Sequence, residues 1–411
     1  MTRRVVWPGL ARLREDEARY RWYALGLTTF TQAASAAVTS ALGPIAPLLM
    51  AQFAIGRAEV GLVQTSVYLS ATWSALAGGR LADRVGERSA LIIAGVVTGC
   101  GALGAGFAGP YWAFLAAAFV MGLGTGVQNP AGSAAVMRWF PPRRRGFAMG
   151  VRQTGVPVGG VLAATAWPWV ATTWGWRASY SLAGIMALAG TVLLVLSYFD
   201  PRREGGAVQA VRSLPDLMRD RRLFLLALTY NGQIVAQYSV TVYLVLFLHE
   251  MLGLSVIAAS GLLALVYLTA IGGRIGWGLA SDALFGGARR PVLLIIIVLT
   301  LAGILMAAAL PARAPFAVTI VLAALLGLSA FSWTGIYGTL AIELAGSASA
   351  ASAVAWVHLL GGVGSLGGPP LFGFLVDHTG SYRVAWLAAG AAVLIGLLAT
   401  LALREGPARR G

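Results

Sequence analysis

The sequence predicts an all-α integral membrane protein, with twelve transmembrane helices arranged as two pseudo-symmetric bundles of six. Three observations lead there. Hydrophobic side chains make up 58% of the 411 residues, charged ones only 11%, and mean hydropathy is +0.77, whereas a soluble chain carries about 25% charged residues. Apolar runs long enough to cross a bilayer recur along the whole chain. A pattern near residue 67 also returns near residue 266, so the second half repeats the first.

A hydrocarbon core of about 30 Å takes roughly 20 apolar residues at about 1.5 Å each. Runs of that kind lie near 22–48, 59–80, 89–108, 111–137, 147–170, 179–198, 223–248, 257–279, 291–310, 315–341, 351–375 and 383–403. The first follows a polar segment holding Arg3, Arg4, Arg12, Arg14, Arg19 and Arg21. It is longer than the apolar core of a signal peptide, so it is expected to stay as an uncleaved anchor.

Arginine placement gives the orientation, because basic residues beside spans are retained in the cytoplasm. With the N-terminus inside, 24 of the 30 arginines fall in cytoplasmic segments and four outside, namely Arg57, Arg177, Arg313 and Arg383. Arg152 and Arg274 lie within spans. Both termini are therefore expected inside a bacterial cytoplasmic (inner) membrane. The longest polar stretch follows span 6, which divides the chain into a first bundle over 1–199, a cytoplasmic linker over 200–222 and a second bundle over 223–411.

The formal charge of +15 would ordinarily raise nucleic acid as a partner. Here lysine is absent and the arginines are confined to short segments between apolar runs, so no nucleic-acid partner is expected. The lysine gap beside abundant Ala, Gly, Leu and Arg fits a GC-rich bacterial genome. One cysteine, Cys100, excludes intrachain disulfides and cysteine metal cages. His249, His358 and His378 lack ligand spacing and no phosphate-binding loop occurs, so neither an enzyme, a cofactor, a resident metal nor an ATP-driven pump is expected.

The repeat is specific. Val67-Tyr68-Leu69-Ser70-Ala71 precedes Gly79-Arg80-Leu81-Ala82-Asp83, and Val266-Tyr267-Leu268-Thr269-Ala270 precedes Gly278-Leu279-Ala280-Ser281-Asp282, at one constant offset. Gly79 to Arg88, between spans 2 and 3, resembles the signature loop of the major facilitator superfamily. Gly278 to Asp282 with Arg289-Arg290 resembles its degenerate second copy, in which Ala283 stands where the first has Arg84. The resemblance implies alternating access between two six-span halves, with substrate held near the midplane. It also implies a gating role for Asp83, Arg84 and Asp282, acids and bases at helix ends that latch the halves on the cytoplasmic side. A solvated loop that only sets topology is the simpler alternative.

A charge within the hydrocarbon region is expensive, so ionisable groups there are candidates for function. All fifteen acids lie in loops or near span ends: Glu59, Glu250 and Asp377 toward the outside, Asp83, Asp282 and Glu343 toward the inside. The mid-span ionisable groups are Arg152, Arg274 and His358, a set that favours an anion. Arg274 to Asp282 is similar to the corresponding stretch of monocarboxylate transporters and oxalate/formate exchangers. That resemblance implies that Arg274 holds the substrate carboxylate, for which a guanidinium fork is suited. The monocarboxylate carriers have an acid four residues earlier; here it is Ala270. The other role open to Arg274 is structural, satisfied by helix carbonyls or water.

Val151-Arg152-Gln153-Thr154-Gly155 aligns with Val357-His358-Leu359-Leu360-Gly361, which makes Arg152 and His358 pseudo-equivalent on spans 5 and 11. Exchangers of the oxalate type carry a lysine near the latter point, so His358 would replace a fixed charge by a titratable one. Each also has a bland alternative, a snorkelling arginine and a neutral histidine bonded to its helix. Spans 1, 4, 7 and 10 line the cavity in this superfamily. Tyr267 and, on those spans, Gln32, Asn129, Asn231 and Tyr238 complete the expected substrate-binding set, since such groups turn away from lipid.

The function expected is secondary active transport of a small organic anion, a mono- or dicarboxylate. Moving one negative charge inward against 100 mV costs about 2.3 kcal/mol, so protons are co-transported or another anion exchanged. The alternative is a proton-driven exporter of drugs or metabolites; a transporter-derived receptor that moves nothing is a third reading. The expected partners are the anion, protons and the lipid bilayer, with the protein acting as a monomer.

Overall fold

The computed structural model describes residues 16–200, 219–345 and 350–403. The linker positions 201–218, the arginine-rich ends and, inside the helices, the side chains of Arg80, Asp83 and Arg143 lie outside the described residues.

Sixteen helices and no strands occur among the described residues. They are α1 (Glu17–Thr39), α2 (Leu42–Phe53), α3 (Arg57–Val85), α4 (Glu87–Gly106), α5 (Tyr111–Trp139), α6 (Pro142–Gln153), α7 (Gly155–Trp174), α8 (Trp176–Ser197), α9 (Arg221–Leu252), α10 (Val256–Leu284), α11 (Arg289–Ala309), α12 (Phe316–Ala330), α13 (Thr334–Ala345), α14 (Ala350–Gly361), α15 (Val363–Thr379) and α16 (Tyr382–Ala402). Four passages consist of two helices joined at a short break: α1–α2, α6–α7, α12–α13 and α14–α15. Counted so, the helices make the twelve passages that the sequence predicts. Ten of them are long and apolar enough to cross a membrane by length and composition alone; α3 and α6–α7 supply the other two.

Side-chain caps fix several helix starts. Asp16 accepts from Arg19 N at 3.1 Å, Asp220 from Arg222 N at 2.9 Å and Ser255 from Ala258 N at 3.1 Å, each satisfying a donor that the first turn leaves open. Large apolar side chains such as Trp73, Phe107, Leu279 and Leu284 are more than half exposed. Water would not sustain so much apolar surface, whereas lipid is its natural solvent.

The chain forms two compact units, one of residues 1–41 with 66–205 and one of 42–65 with 206–411. Inside the first, Gly122 of α5 lets that helix reach the Val67 carbonyl and the Ser70 hydroxyl of α3, where a Cβ would collide. Inside the second, Gly327 of α12 does the same against the Val266 carbonyl and Thr269 of α10. The partners are the repeated positions read from the sequence, so the repeat is a repeat of packing: in each unit a glycine admits a close helix contact.

The turn between α3 and α4 is made by Gly86 at φ +87°, a conformation costly for any residue with a Cβ. Asp200 accepts from Arg88 N at 2.8 Å. Glu87, fully buried, pairs with Arg138 at 2.8 Å. In the second unit Arg289 pairs with Asp282 at 2.7 Å and approaches Glu343 at 3.6 Å. Thus the first unit joins an acid starting α4 to an arginine ending α5, and the second joins an arginine starting α11 to an acid near the end of α13.

Candidate functional site

Arg152 is the most enclosed of the candidates, with no exposed surface at the end of α6. Its seat is made by α5. A Cβ on Gly132 would lie 2.5 Å from Arg152 Nε and 2.6 Å from Cζ, so only glycine there leaves room for the guanidinium. Arg152 Nη1 donates to Asn129 Oδ1 and Ser133 Oγ, both at 3.3 Å, and Nη2 donates to the Gln128 carbonyl at 3.1 Å. Its Nε is buried with no hydrogen-bond partner among the described residues. All these partners are neutral. A buried cation without an anionic partner keeps a large desolvation cost, which a bound anion would offset.

The network extends to α1. Gln32 Nε2 donates to Gln153 Oε1 at 3.1 Å and Gln128 Nε2 to Thr31 Oγ1 at 3.1 Å. Gln32, Asn129 and Arg152 are thereby brought into one polar cluster within the first unit. Gln153 and Ser133 are members that the sequence reading missed. The visible signal is Arg152 itself, a guanidinium in an apolar run that calls for polar partners on neighbouring helices.

The other candidates belong to the second unit and form two groups. Arg274 of α10 donates from Nε to the Phe331 carbonyl at 3.1 Å, at the break between α12 and α13. Trp277 Nε1 donates to the Leu328 carbonyl at 2.6 Å, and Ser332 Oγ to that of Gly327 at 2.7 Å. Helix ends leave carbonyls without intrahelical donors, and α10 satisfies two here. Part of Arg274 is thus used structurally. Tyr267 lies about two turns away on the same helix, with its ring edge-on to Phe331 at 5.3 Å.

The second group surrounds His358 on α14, an exposed side chain. Its ring lies 4.6 Å from that of Tyr230 and 6.4 Å from that of Tyr337, while Trp333 lies 5.2 Å from Tyr230. Trp333 Nε1 donates to Gln237 Oε1 at 3.1 Å. Asn231 Nδ2 donates to the Gly361 carbonyl at 3.2 Å, at the α14–α15 break. Tyr238, on α9, is buried. Of the gating candidates, Asp282 is paired with Arg289, Arg84 is exposed and the Asp83 side chain lies outside the described residues.

The family model described as Major Facilitator Superfamily matches residues 28–345, and the chain belongs to that family. It is therefore a multi-pass membrane transporter and not an enzyme. Among curated relatives, it is 26% identical over 381 residues to a probable sulfoacetate transporter of Cupriavidus necator, covering 87% of each chain. It is 29% identical over 328 residues to monocarboxylate transporter 13 of Bos taurus, covering 78% of this chain and 74% of that one. Among solved structures, a bacterial homologue of the human lysosomal transporter Spinster in an inward-facing, occupied conformation matches with a TM-score of 0.76 and 17% identity, over 95% of this chain and 99% of that one. Both of these curated relatives are named as transporters of organic anions, and the structural match shows the fold.

Proposed function

We propose that this protein is a secondary active carrier of a small mono- or dicarboxylate, working by alternating access between the halves 1–199 and 223–411. The observation that carries the reading is Arg152: a guanidinium sealed inside a membrane passage, bonded to neutral groups, with its Nε–H still open. Such a group has more to gain from an anion than from any other solute. The names of the two relatives, a sulfoacetate and a monocarboxylate carrier, support the same class. Arg274 offers a second cationic group, and His358 a titratable one for proton symport; anion exchange balances charge equally well. The arginine asymmetry supports an orientation in the inner membrane with both termini in the cytoplasm.

The test is counterflow in proteoliposomes preloaded with unlabelled oxalate, malonate or lactate. Accelerated entry of the labelled acid is expected, and its loss in Arg152→Gln. No response to any carboxylate, together with proton-driven movement of a lipophilic drug, would replace this reading by the exporter.

A further inference from the structure

The second unit holds a cavity of about 270 Å³ between α9, α15 and α16. Its shape follows from where these helices touch. At one end they are in close contact: a Cβ on Gly364 would lie 2.8 Å from Val235 Cγ2, one on Gly232 would lie 2.5 Å from the Ala392 carbonyl oxygen, and Asn231 donates to the Gly361 carbonyl. At the other end they are tied by charge. Arg57, the first residue of α3, pairs with Glu250 of α9 at 2.7 Å and with Asp377 of α15 at 3.1 Å, while Tyr382 Oη of α16 donates to Glu250 at 2.8 Å. Between the two ties the facing positions include Gly367, Gly368, Ala385, Ala388 and Ala389, which are too small to fill the gap. A Cβ on Gly367 would meet nothing within 4 Å.

The wall is apolar except for Asn231 and Ser239, and among the described residues no charged side chain lines it. Val363, Gly367 and Leu371 at its edge are exposed on a surface that lipid covers, so the cavity is reached from the bilayer. Ser239 is fully buried near the middle of α9, and its Oγ has no hydrogen-bond partner among the described residues. A serine or threonine within a helix can return its proton to a carbonyl one turn back, as Thr241 does to Gln237 at 2.9 Å. Ser239 does not. Trp386 Nε1 is likewise buried without a partner, its ring edge-on at 4.8 Å to Phe372, which lines the cavity. Within hydrocarbon an unbonded polar group costs free energy that a hydrogen-bonding guest would recover.

We propose that this cavity binds a neutral, lipid-soluble molecule with one hydrogen-bonding oxygen on an aliphatic chain, of the class of the fatty alcohols, and that Ser239 bonds the oxygen. The size agrees, since about 270 Å³ is room for about nine groups the size of a water molecule, which is the size of octanol. A carboxylate is disfavoured because no cation stands in the wall to pair with it, so the cavity takes a different ligand from Arg152. A phospholipid acyl chain would fill the same space but leave the Ser239 hydroxyl unbonded. That difference is what the experiment reads.

The test is photolabelling of the full-length protein in nanodiscs with a diazirine-bearing octanol and, in parallel, with the matching octane that lacks the hydroxyl, the labelled residues being located by mass spectrometry. The alcohol should label α15 and α16 at the cavity wall, saturably and in competition with unmodified octanol. Ser239→Ala should weaken the alcohol's half-saturation by about two- to twelvefold, the worth of a neutral hydrogen bond, and leave labelling by the octane unchanged. Gly367→Leu, which grows into open space, should abolish labelling of the wall by both. Equal affinity of the alcohol for the parent and for Ser239→Ala would make the cavity a plain acyl-chain groove, and wall labelling that survives Gly367→Leu would place the alcohol elsewhere; either result overturns the proposal. The readout uses no carboxylate, so it leaves the anion reading untouched.

Discussion

Arg152 gives the sharpest prediction because its two possible roles change apo stability in opposite directions. Replacing it by Gln removes a buried charge whose partners are neutral. Of those partners, Asn129 is exposed, Ser133 is half-buried, and the Gln128 carbonyl sits within a continuous helix. Ser133 still donates to the Asn129 carbonyl and the Gln128 carbonyl keeps its place in the helix, so few groups are stranded, and removing an uncompensated buried charge is often neutral or stabilising. The expected melting temperature of ligand-free Arg152→Gln is therefore equal to or above that of the parent.

Ligand linkage should respond in the other direction. Malonate at about 100 times its dissociation constant stabilises a folded protein by about 2.7 kcal/mol. A charged hydrogen bond is worth about 1.5–3 kcal/mol, so losing it weakens binding by about 10–150-fold. At the same malonate concentration a hundredfold loss leaves about 0.4 kcal/mol, and the thermal shift all but disappears. Arg152→Lys should fall between, retaining charge without the fork. Gly132→Ala should weaken binding through displacement, since its Cβ would press on Nε and Cζ. The assay is melting of purified, monodisperse protein with and without malonate. A lower apo melting temperature together with an intact malonate shift would show that Arg152 is structural and refute the reasoning.

Arg274→Ala should lose both carboxylate affinity and stability, because it also strands the Phe331 carbonyl, a cost of about 1–3 kcal/mol; near-normal affinity in calorimetry on the folded fraction would remove Arg274 from the site. With the linker in the cytoplasm, a cysteine at position 210 in a Cys100→Ser background should escape a membrane-impermeant maleimide in intact cells and react after lysis. Rapid labelling of intact cells would reverse the topology.

What the sequence makes legible is what local chemistry encodes. Twelve apolar runs are visible because bilayer thickness sets their length, and the Val67/Val266 repeat is visible because the same glycine contact constrains it twice. Arg152 stands out as a charge in an apolar run. Its seat does not, since Gly132 is one glycine among 53 and its importance appears only once α5 and α6 are packed. The Arg57 cluster is further out of reach: its three charges read as ordinary loop residues until distant positions are brought within 3.1 Å. The span-10 break carries no proline or glycine at Phe331–Trp333, so nothing in that stretch announces it.

The breaks in spans 5 and 11 are another matter, and they tie the two pseudo-equivalent candidates together. α6 gives way to α7 at Thr154, two residues after Arg152, and α14 to α15 at Gly362, four residues after His358. Each candidate therefore occupies the last turn before a break, in its own unit. A break is where a helix can bend at low cost, because some of its backbone bonds are already satisfied from outside. An anion that neutralises Arg152, or a proton that charges His358, changes the local field in the turn where bending is cheapest. Two repeats with the same break but different charges, one permanent and one titratable, are the asymmetry a carrier needs if substrate acts on one half and a proton on the other.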